Sequence, residues 1–432
     1  MTRLSIEPFS RPFKRVFSPP GSKSLTNRAM VLAALSQGTC RLQGALFADD
    51  TRVMIEGLRR LGFDVQTDES NAQIIVTGRG GVIPSRQTEI FCGNSGTTIR
   101  FLTALCTLGK GQYLLDGVER MRQRPIGPLV SMLRNLGARI ESVMNEGYPP
   151  VRVQGDGLPG GIVQYGSEMS SQYLSAVLQV SPYARHELRV NLVGKQTSWP
   201  YVEMTMRMMD QFGHWCELER DPQTREPVRI IVPRGEYRLE EYQVEPDASN
   251  ATYFLALSAI HPGAEVTIHG LGKRSLQGDV GFSGVLKQMG ANVVLNDHQV
   301  TIHGPTQLEG VDVDLSDMPD TAQTLAVVAM FARGPTTIRG LHTLRVKETD
   351  RLSALEQELS KLGAEVEVQE DTLVINPPEK IHPADIDTYD DHRMAMSFGL
   401  VGTRAWGVRI NDPGCVNKTY PGYFKDLESF RD

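Results

Sequence analysis

The chain has few cysteines for its length: five in 432 residues, Cys40, Cys92, Cys106, Cys216 and Cys415. They are odd in number, widely spaced and include no C-x-x-C pair. This excludes a disulfide framework and a zinc knuckle and fits reduced thiols. The nine histidines show no H-x-x-x-H spacing and no His/Cys pairing, so the sequence gives a metal site no support. No apolar run reaches membrane-spanning length. Residues 1–20 alternate polar and apolar without the hydrophobic stretch of a secretory signal, so the chain reads as cytoplasmic. There is no basic excess either: 45 Lys and Arg against 51 Asp and Glu give a net charge of -6. A nucleic-acid binder would more often be basic, so any local cluster of cations here needs another explanation. What remains is an ordinary globular composition, 40% hydrophobic and 22% charged, on a chain too long for one core.

The chain repeats itself. A helix tail, a glycine and an alternating run occur around Leu61-Gly62-Phe63-Asp64-Val65, Leu136-Gly137-Ala138-Arg139-Ile140, Phe212-Gly213-His214-Trp215-Cys216, Met289-Gly290-Ala291-Asn292-Val293 and Leu362-Gly363-Ala364-Glu365-Val366. The glycines are spaced by 75, 76, 77 and 73 residues. Glycine commonly ends a helix in the left-handed conformation, and alternation after it predicts a strand. A second phrase opens a nearly apolar helix: Ser24 to Arg28, Ser95 to Arg100, Ser170 to Tyr173, Asp247 to Asn250, Asp320 to Gln323 and Asp391 to Met394. Aligning Arg28, Arg100, Gln172, Asn250, Gln323 and Arg393 gives steps of 72, 72, 78, 73 and 70. Each copy begins with Ser or Asp, which cap helix N-termini, and helices apolar all round are buried. The sequence therefore predicts six similar α/β units in two domains of three. The expected domains are 21–245, and 1–20 together with 246–432, with crossings near Ser18-Pro19-Pro20-Gly21 and Val244-Glu245-Pro246. Six helix N-termini would make good anion sites where they converge.

Several polar runs stand out, each with an ordinary alternative. Lys23 and Arg28 lie in the first turns of an apolar helix, where a cation opposes the helix dipole unless an anion shares the site. Gly21-Ser22-Lys23-Ser24 lacks the spacing of a nucleotide-binding phosphate loop. Arg120, Arg122 and Arg124 precede Pro125; guanidinium forks bind carboxylate and phosphate, or the run is a solvated loop. Residues 344–352 carry three cations and two carboxylates, which is either a surface ion-pair network or an acid/base and anion-clamp site. Ser170, Ser171 and Asp320 could simply be caps, and Glu245 and Asp247 a hinge and a cap. His392-Arg393 and Lys418 complete the set.

In combination these runs are informative. Lys23-Ser24, Asn94-Ser95-Gly96-Thr97, Arg124-Pro125-Ile126-Gly127, Ser170-Ser171-Gln172, Asp320, Arg345-Val346-Lys347-Glu348-Thr349-Asp350-Arg351 and Asp391-His392-Arg393-Met394 follow in that order. The set resembles the 5-enolpyruvylshikimate-3-phosphate synthase family of enolpyruvyl transferases over residues 20–424. The run 345–351 is its most specific element. The resemblance implies two inside-out α/β domains, each of three repeated units around buried helices, that close over shikimate 3-phosphate and phosphoenolpyruvate. It implies a cytoplasmic monomer that needs no metal or organic cofactor, and no nucleic-acid or membrane partner. Shikimate 3-phosphate would be held by Lys23, Ser24, Arg28, Ser170, Ser171, Gln172, Ser198, Tyr201, Asp320 and Lys347. Phosphoenolpyruvate would be held by Lys23, Gly96, Arg124, Gln172, Arg351, Arg393 and Lys418. Asp320 would be the base for the 5-hydroxyl and Glu348 the proton donor to carbon, with Lys23, His392 and Lys418 assisting. The chain departs from the family at Phe101, where many members have Pro, and at Thr343, commonly Asn. Gly96 is the small residue expected in members sensitive to glyphosate, an expected inhibitor. The neighbouring UDP-N-acetylglucosamine enolpyruvyl transferases usually carry a reactive Cys in the first half. Here residues 117–125 have none, and Cys106 lies in an apolar stretch. A non-catalytic anion-binding protein on the same fold is the alternative from another class.

Overall fold

A computed structural model of the chain describes residues 2–166 and 170–431. Contacts gather them into two units, one of 21–244 and one of 1–20 with 245–432. Both are built on one repeating plan, in which a strand, a buried helix, a second strand, a surface helix and a strand hairpin follow in order. In space the first strand runs parallel to the second. The second is antiparallel to the last, and the last is antiparallel to the third. Gln87–Phe91, Lys110–Asp116, Val151–Asp156 and Arg139–Ser142 form such a sheet. Gly161–Gly166, Leu188–Val193, Pro227–Val232 and Glu217–Arg220 form another. In the second unit Asp312–Asp314, Thr336–Arg339, Thr372–Asn376 and Glu365–Gln369 repeat it.

Where the chain passes from one unit to the other, first strands are exchanged. Lys14–Phe17 directly precedes the helix Lys23–Leu35, yet it pairs in parallel with Glu265–His269. Glu241–Gln243 directly precedes the helix Ala248–Ile260, yet it pairs in parallel with Gln37–Gln43. Aromatic packing ties the N-terminal strand to its unit. Phe17 lies 4.4 Å from Phe254, Phe254 stacks on Phe430 at 5.2 Å, and Phe13 meets Phe430 edge-on at 5.7 Å, contacts that add to simple burial. The sixth sheet has three strands, because Arg3–Ser5 pairs with Val408–Asn411 in place of a hairpin.

The expected punctuation is present. Gly62, Gly137, Gly213, Gly290 and Gly363 all have φ between 88° and 104° and follow surface helices, the left-handed stop that glycine accepts without a Cβ clash. The helices Gly96–Cys106, Ala322–Ala329 and His392–Gly402 are buried along their whole length. In each unit the three buried helices pack against one another. Ser95, Ser170, Asp247 and Asp391 cap their helices as expected, accepting bonds from the backbone of Thr98, Gln172, Asn250 and Arg393. Two of the six phrases differ. The cap of Lys23–Leu35 is Ser22, not Ser24, which lies one residue inside the helix. Asp320 caps nothing, because a 3-10 turn, Pro319–Thr321, carries it ahead of the helix and leaves its carboxylate for other partners.

One feature of the repeat escaped the sequence pattern. The hairpin of a unit crosses the C-terminal end of the buried helix at a glycine. A Cβ on Gly78 would lie 2.2 Å from the Ser36 carbonyl oxygen, on Gly155 2.6 Å from that of Cys106, and on Gly304 2.1 Å from that of His261. Backbone cannot yield as a side chain can, so any substitution separates strand from helix. Gly304→Ala should therefore lower stability by about 2 kcal/mol or more in a denaturant or thermal melt. Gly284→Ala, in the helix Phe282–Gln288 where a Cβ meets nothing within 4 Å, should be neutral or stabilise by up to about 1 kcal/mol.

Candidate active site

In the unit 21–244 the N-termini of the three buried helices come together. Asn27 donates to Thr97 at 2.7 Å, and Arg100 donates to Gln172 at 2.6 Å, linking the helices in pairs. None of the three has an acidic residue in its first turn. The positive ends of their dipoles are therefore reinforced by cations instead of opposed by carboxylates. Arg28 is 1% exposed and Arg124 3%. Arg28 is held by neutral groups: Nε by Thr205 Oγ1 at 2.7 Å, Nη1 by the Ser24 carbonyl at 3.0 Å, and Nη2 by Ser175 Oγ at 3.3 Å and the Tyr201 carbonyl at 3.4 Å. Burial lowers its pKa to about 10. Arg124 Nη1 donates to the carbonyl and side-chain oxygens of Asn94 at 2.9 and 3.1 Å, and its Nε finds no partner. Among the described residues no carboxylate lies within ion-pair distance of either guanidinium. A buried cation without a counter-ion is costly by several kcal/mol, which an anionic ligand would offset.

The other predicted residues of this unit lie at or near helix N-termini. Lys23 reaches Asp50 at 3.4 Å. Gly96 lies under two guanidinium groups: a Cβ there would meet Arg100 Nη1 at 2.8 Å and Arg124 Nη2 at 2.9 Å. Ser170 and Ser171 form the helix start that carries Gln172. Ser198 adopts a left-handed φ of 53° ahead of Trp199-Pro200, a conformation that a residue with a Cβ holds only at some cost. Phe101, in place of the usual Pro, is fully buried, with the Arg28 guanidinium 5.2 Å above its ring, a favourable cation–π arrangement.

The unit of 1–20 with 245–432 holds a cluster of a different kind. Arg351, 1% exposed, is gripped by three carboxylates. Its Nε and Nη2 donate to Asp391 at 2.7 and 3.2 Å, Nη2 also donates to Glu348 at 3.0 Å, and Nη1 donates to Asp320 at 3.3 Å. Burial alone would lower its pKa, but Asp391, Glu348 and Asp320 together raise it well above the usual value. Asp320 also faces Arg393 Nη2 at 2.9 Å and Lys347 Nζ at 3.4 Å, and Lys418 Nζ lies 3.9 Å from Glu348. Arg393 Nη1 donates to the Tyr253 hydroxyl at 3.3 Å. Burial, partly offset by Arg393, raises the Tyr253 pKa to about 12. His392 is buried at the first position of its helix, 3.6 Å from Asp391. Thr343 is buried, and its hydroxyl has no hydrogen-bond partner.

The expected site residues thus fall into two groups. Lys23, Ser24, Arg28, Gly96, Arg124, Ser170, Ser171, Gln172, Ser198 and Tyr201 belong to one unit. Asp320, Lys347, Glu348, Arg351, His392, Arg393 and Lys418 belong to the other. The first group carries an excess of positive charge. The second pairs cations with carboxylates, an arrangement suited to moving protons as well as holding anions. The sequence did not single out Ser175 and Thr205, because a hydroxyl inside an apolar helix gives no pattern. Asp391 was legible only as a cap, although it also bonds Arg351. Among the described residues no group of His, Cys, Asp and Glu is placed to hold a metal ion, and no helix is long and apolar enough to cross a membrane.

Comparison with known proteins identifies the family. The profile of the EPSP synthase (3-phosphoshikimate 1-carboxyvinyltransferase) family matches residues 10–427. A 3-phosphoshikimate 1-carboxyvinyltransferase of Sulfurovum sp. is 45% identical over 99% of each chain. The chloroplastic one of Arabidopsis thaliana is 47% identical over 95% of this chain and 81% of its own. An EPSP synthase structure from Acinetobacter baumannii superposes with a TM-score of 0.81 at 26% identity, covering 100% of this chain and 98% of that one. The enolpyruvyl transferase NikO of Streptomyces tendae shares the fold, with a TM-score of 0.77 at 17% identity over 99% of this chain and 97% of its own. With this agreement along essentially its whole length, the chain belongs to the EPSP synthase (3-phosphoshikimate 1-carboxyvinyltransferase) family.

Proposed function

We propose that the chain transfers the enolpyruvyl (1-carboxyvinyl) group of phosphoenolpyruvate to the 5-hydroxyl of shikimate 3-phosphate, releasing phosphate, a step in aromatic amino-acid biosynthesis. The observation that carries this reading is the pair of buried guanidinium groups, Arg28 and Arg124, held among the described residues by neutral oxygens in a chain of net charge -6. Both substrates are multiply anionic, each phosphate monoester contributing roughly -1.5 to -2 near neutral pH, and they supply the missing counter-charge. Lys23, Ser24, Arg28, Ser170, Ser171, Gln172, Ser198, Tyr201 and Lys347 hold shikimate 3-phosphate. Arg124, Arg393 and Lys418, with a lesser share from Arg351, clamp phosphoenolpyruvate, whose backbone contact is at Gly96. Arg351 contributes little directly, because three carboxylates already take most of its donors.

The reaction is an addition followed by an elimination. The 5-hydroxyl oxygen attacks the substituted carbon of phosphoenolpyruvate and its proton passes to Asp320, while Glu348, in its protonated form, gives a proton to the methylene carbon. Phosphate then leaves, and the Glu348 carboxylate takes back one methyl proton to restore the double bond. Substrate anions compete for Lys347 and Arg393, and as these cations turn to the substrates Asp320 is freed to accept a proton. Lys23, Lys418 and His392 support the developing charge. The acceptor is shikimate 3-phosphate in preference to a UDP-sugar, a choice supported by the absence of a cysteine from residues 117–125. Cys106 is fully buried, and burial raises its thiol pKa well above the ordinary range, which makes it a poor nucleophile.

Phosphate release should occur on mixing the protein with phosphoenolpyruvate and shikimate 3-phosphate, and not when UDP-N-acetylglucosamine replaces the acceptor. Asp320→Ala should lower kcat by about 100-fold or more while the fold is retained. Release with the sugar nucleotide alone would reassign the substrate, and an undiminished Asp320→Ala variant would remove Asp320 as the base. A second outcome concerns Gly96. An added methyl displaces the Arg100 and Arg124 guanidinium groups by several tenths of an ångström. Gly96→Ala should therefore raise KM for phosphoenolpyruvate by about 10-fold or more and leave binding of shikimate 3-phosphate within about 2-fold. Glyphosate should inhibit the parent chain competitively with phosphoenolpyruvate and inhibit this variant far less. An unchanged KM would show that Arg124 does not hold that substrate.

A further inference from the structure

The segment that delivers Asp391, His392 and Arg393 has an unusual backbone. Tyr389 and Asp390 are consecutive non-glycine residues, both with φ of 54°, and they directly precede the cap Asp391. This region is disfavoured for residues with a Cβ and persists only where the surroundings impose it. The restraint centres on a buried carboxylate, with Gln357 Oε1 also 2.9 Å from the Tyr389 hydroxyl. Glu358 is 0% exposed. Its Oε1 accepts from the Tyr389 hydroxyl at 2.5 Å. Its Oε2 accepts from the backbone N–H of Asp387 at 3.1 Å and lies 2.8 Å from Lys361 Nζ. Lys361 also reaches Asp387 Oδ2 at 2.8 Å.

Glu358 lies seven residues after Arg351 on the helix Arg351–Lys361, two turns along the same face. Arg351 binds Asp391, and Glu358 binds Asp387 and Tyr389. One helix therefore grips the segment 387–391 at both ends. Further bonds close the loop: the Asp391 N–H donates to the Thr388 carbonyl at 2.8 Å, and Asn411 Nδ2 donates to Asp387 Oδ1 at 2.7 Å. Burial, and then the hydrogen bond to Glu358, raise the Tyr389 pKa, so its hydroxyl remains a donor. An ion pair with Lys361 alone would require neither the tyrosine nor the left-handed pair.

We propose that Glu358 and Tyr389 are positioning residues for the transfer reaction: through the Tyr389 hydroxyl, the buried carboxylate holds two left-handed residues in place and so sets His392 and Arg393 for the substrates. The inference rests on the reaction proposed above. Tyr389→Phe removes one oxygen and keeps the ring. It should lower kcat by about 10-fold and raise KM for phosphoenolpyruvate by about 10-fold, with KM for shikimate 3-phosphate within about 2-fold. Hydrogen exchange at the amides of Asp391 and Arg393 should quicken by about 10-fold. Glu358→Gln should act in the same direction. Adding Asp390→Gly to Tyr389→Phe should restore most of the activity, because glycine adopts the left-handed conformation unaided. Unchanged kinetics and exchange in Tyr389→Phe would overturn the proposal, as would failure of Asp390→Gly to restore activity. A parent chain that releases no phosphate would sink the reaction instead, and the exchange measurement would still read the clasp.

Discussion

The buried guanidinium of Arg351 is the interaction on which the charged cluster of its unit depends. Its partners come from three places: Glu348 just ahead of its own helix, Asp320 from a 3-10 turn, and Asp391 from the cap of another helix. Removing the guanidinium from such a group would leave its carboxylates buried without it, and breaking a buried ion pair in this way typically costs about 3–5 kcal/mol. The geometry of the three carboxylates is therefore set by a cation that cannot leave. Asp320 and Glu348 are held by this arrangement near Arg393 and Lys418, which gives two carboxylates and two cations fixed positions.

The unit 21–244 handles charge in the opposite way. Arg28 and Arg124 are as deeply buried as Arg351, but hydroxyls, an amide and backbone carbonyls surround them. Neutral oxygens satisfy the geometry of a guanidinium and leave its charge uncompensated. One cluster is neutralised from within, and among the described residues the other is not. In the reaction proposed above, the first would exchange protons and the second would bind the anions.

Both clusters occupy equivalent places in a repeated scaffold. The aligned positions Arg28, Arg100, Gln172, Asn250, Gln323 and Arg393 all fall in the first turns of buried helices, yet only some of them carry charge. The repeat supplies helix N-termini and close packing at Gly78, Gly155 and Gly304. Two copies depart from the plan at residues of the proposed site. Asp320 departs by not capping its helix, and the segment before Asp391 departs by its left-handed pair.

Much of this was legible in the sequence because it is local chemistry. The six-unit repeat, the glycine stops at Gly62, Gly137, Gly213, Gly290 and Gly363, the burial of the apolar helices and the capping by Ser95, Ser170, Asp247 and Asp391 follow from periodicity, φ preference and the need to satisfy free N–H groups. The run 345–351 marked the family for the same reason, as a dense local pattern. The sequence could not tell Ser22 from Ser24 as a cap, since both precede the same apolar run. Nor could it tell that Asp320 would be spared from capping. The tertiary structure alone decided which charges found partners: Arg351 three carboxylates, Arg28 none. Pairing depends on which side chains distant in sequence are brought within about 4 Å in a low-dielectric interior, and the exchange of first strands at the two crossings shows how far chain order and spatial order differ here.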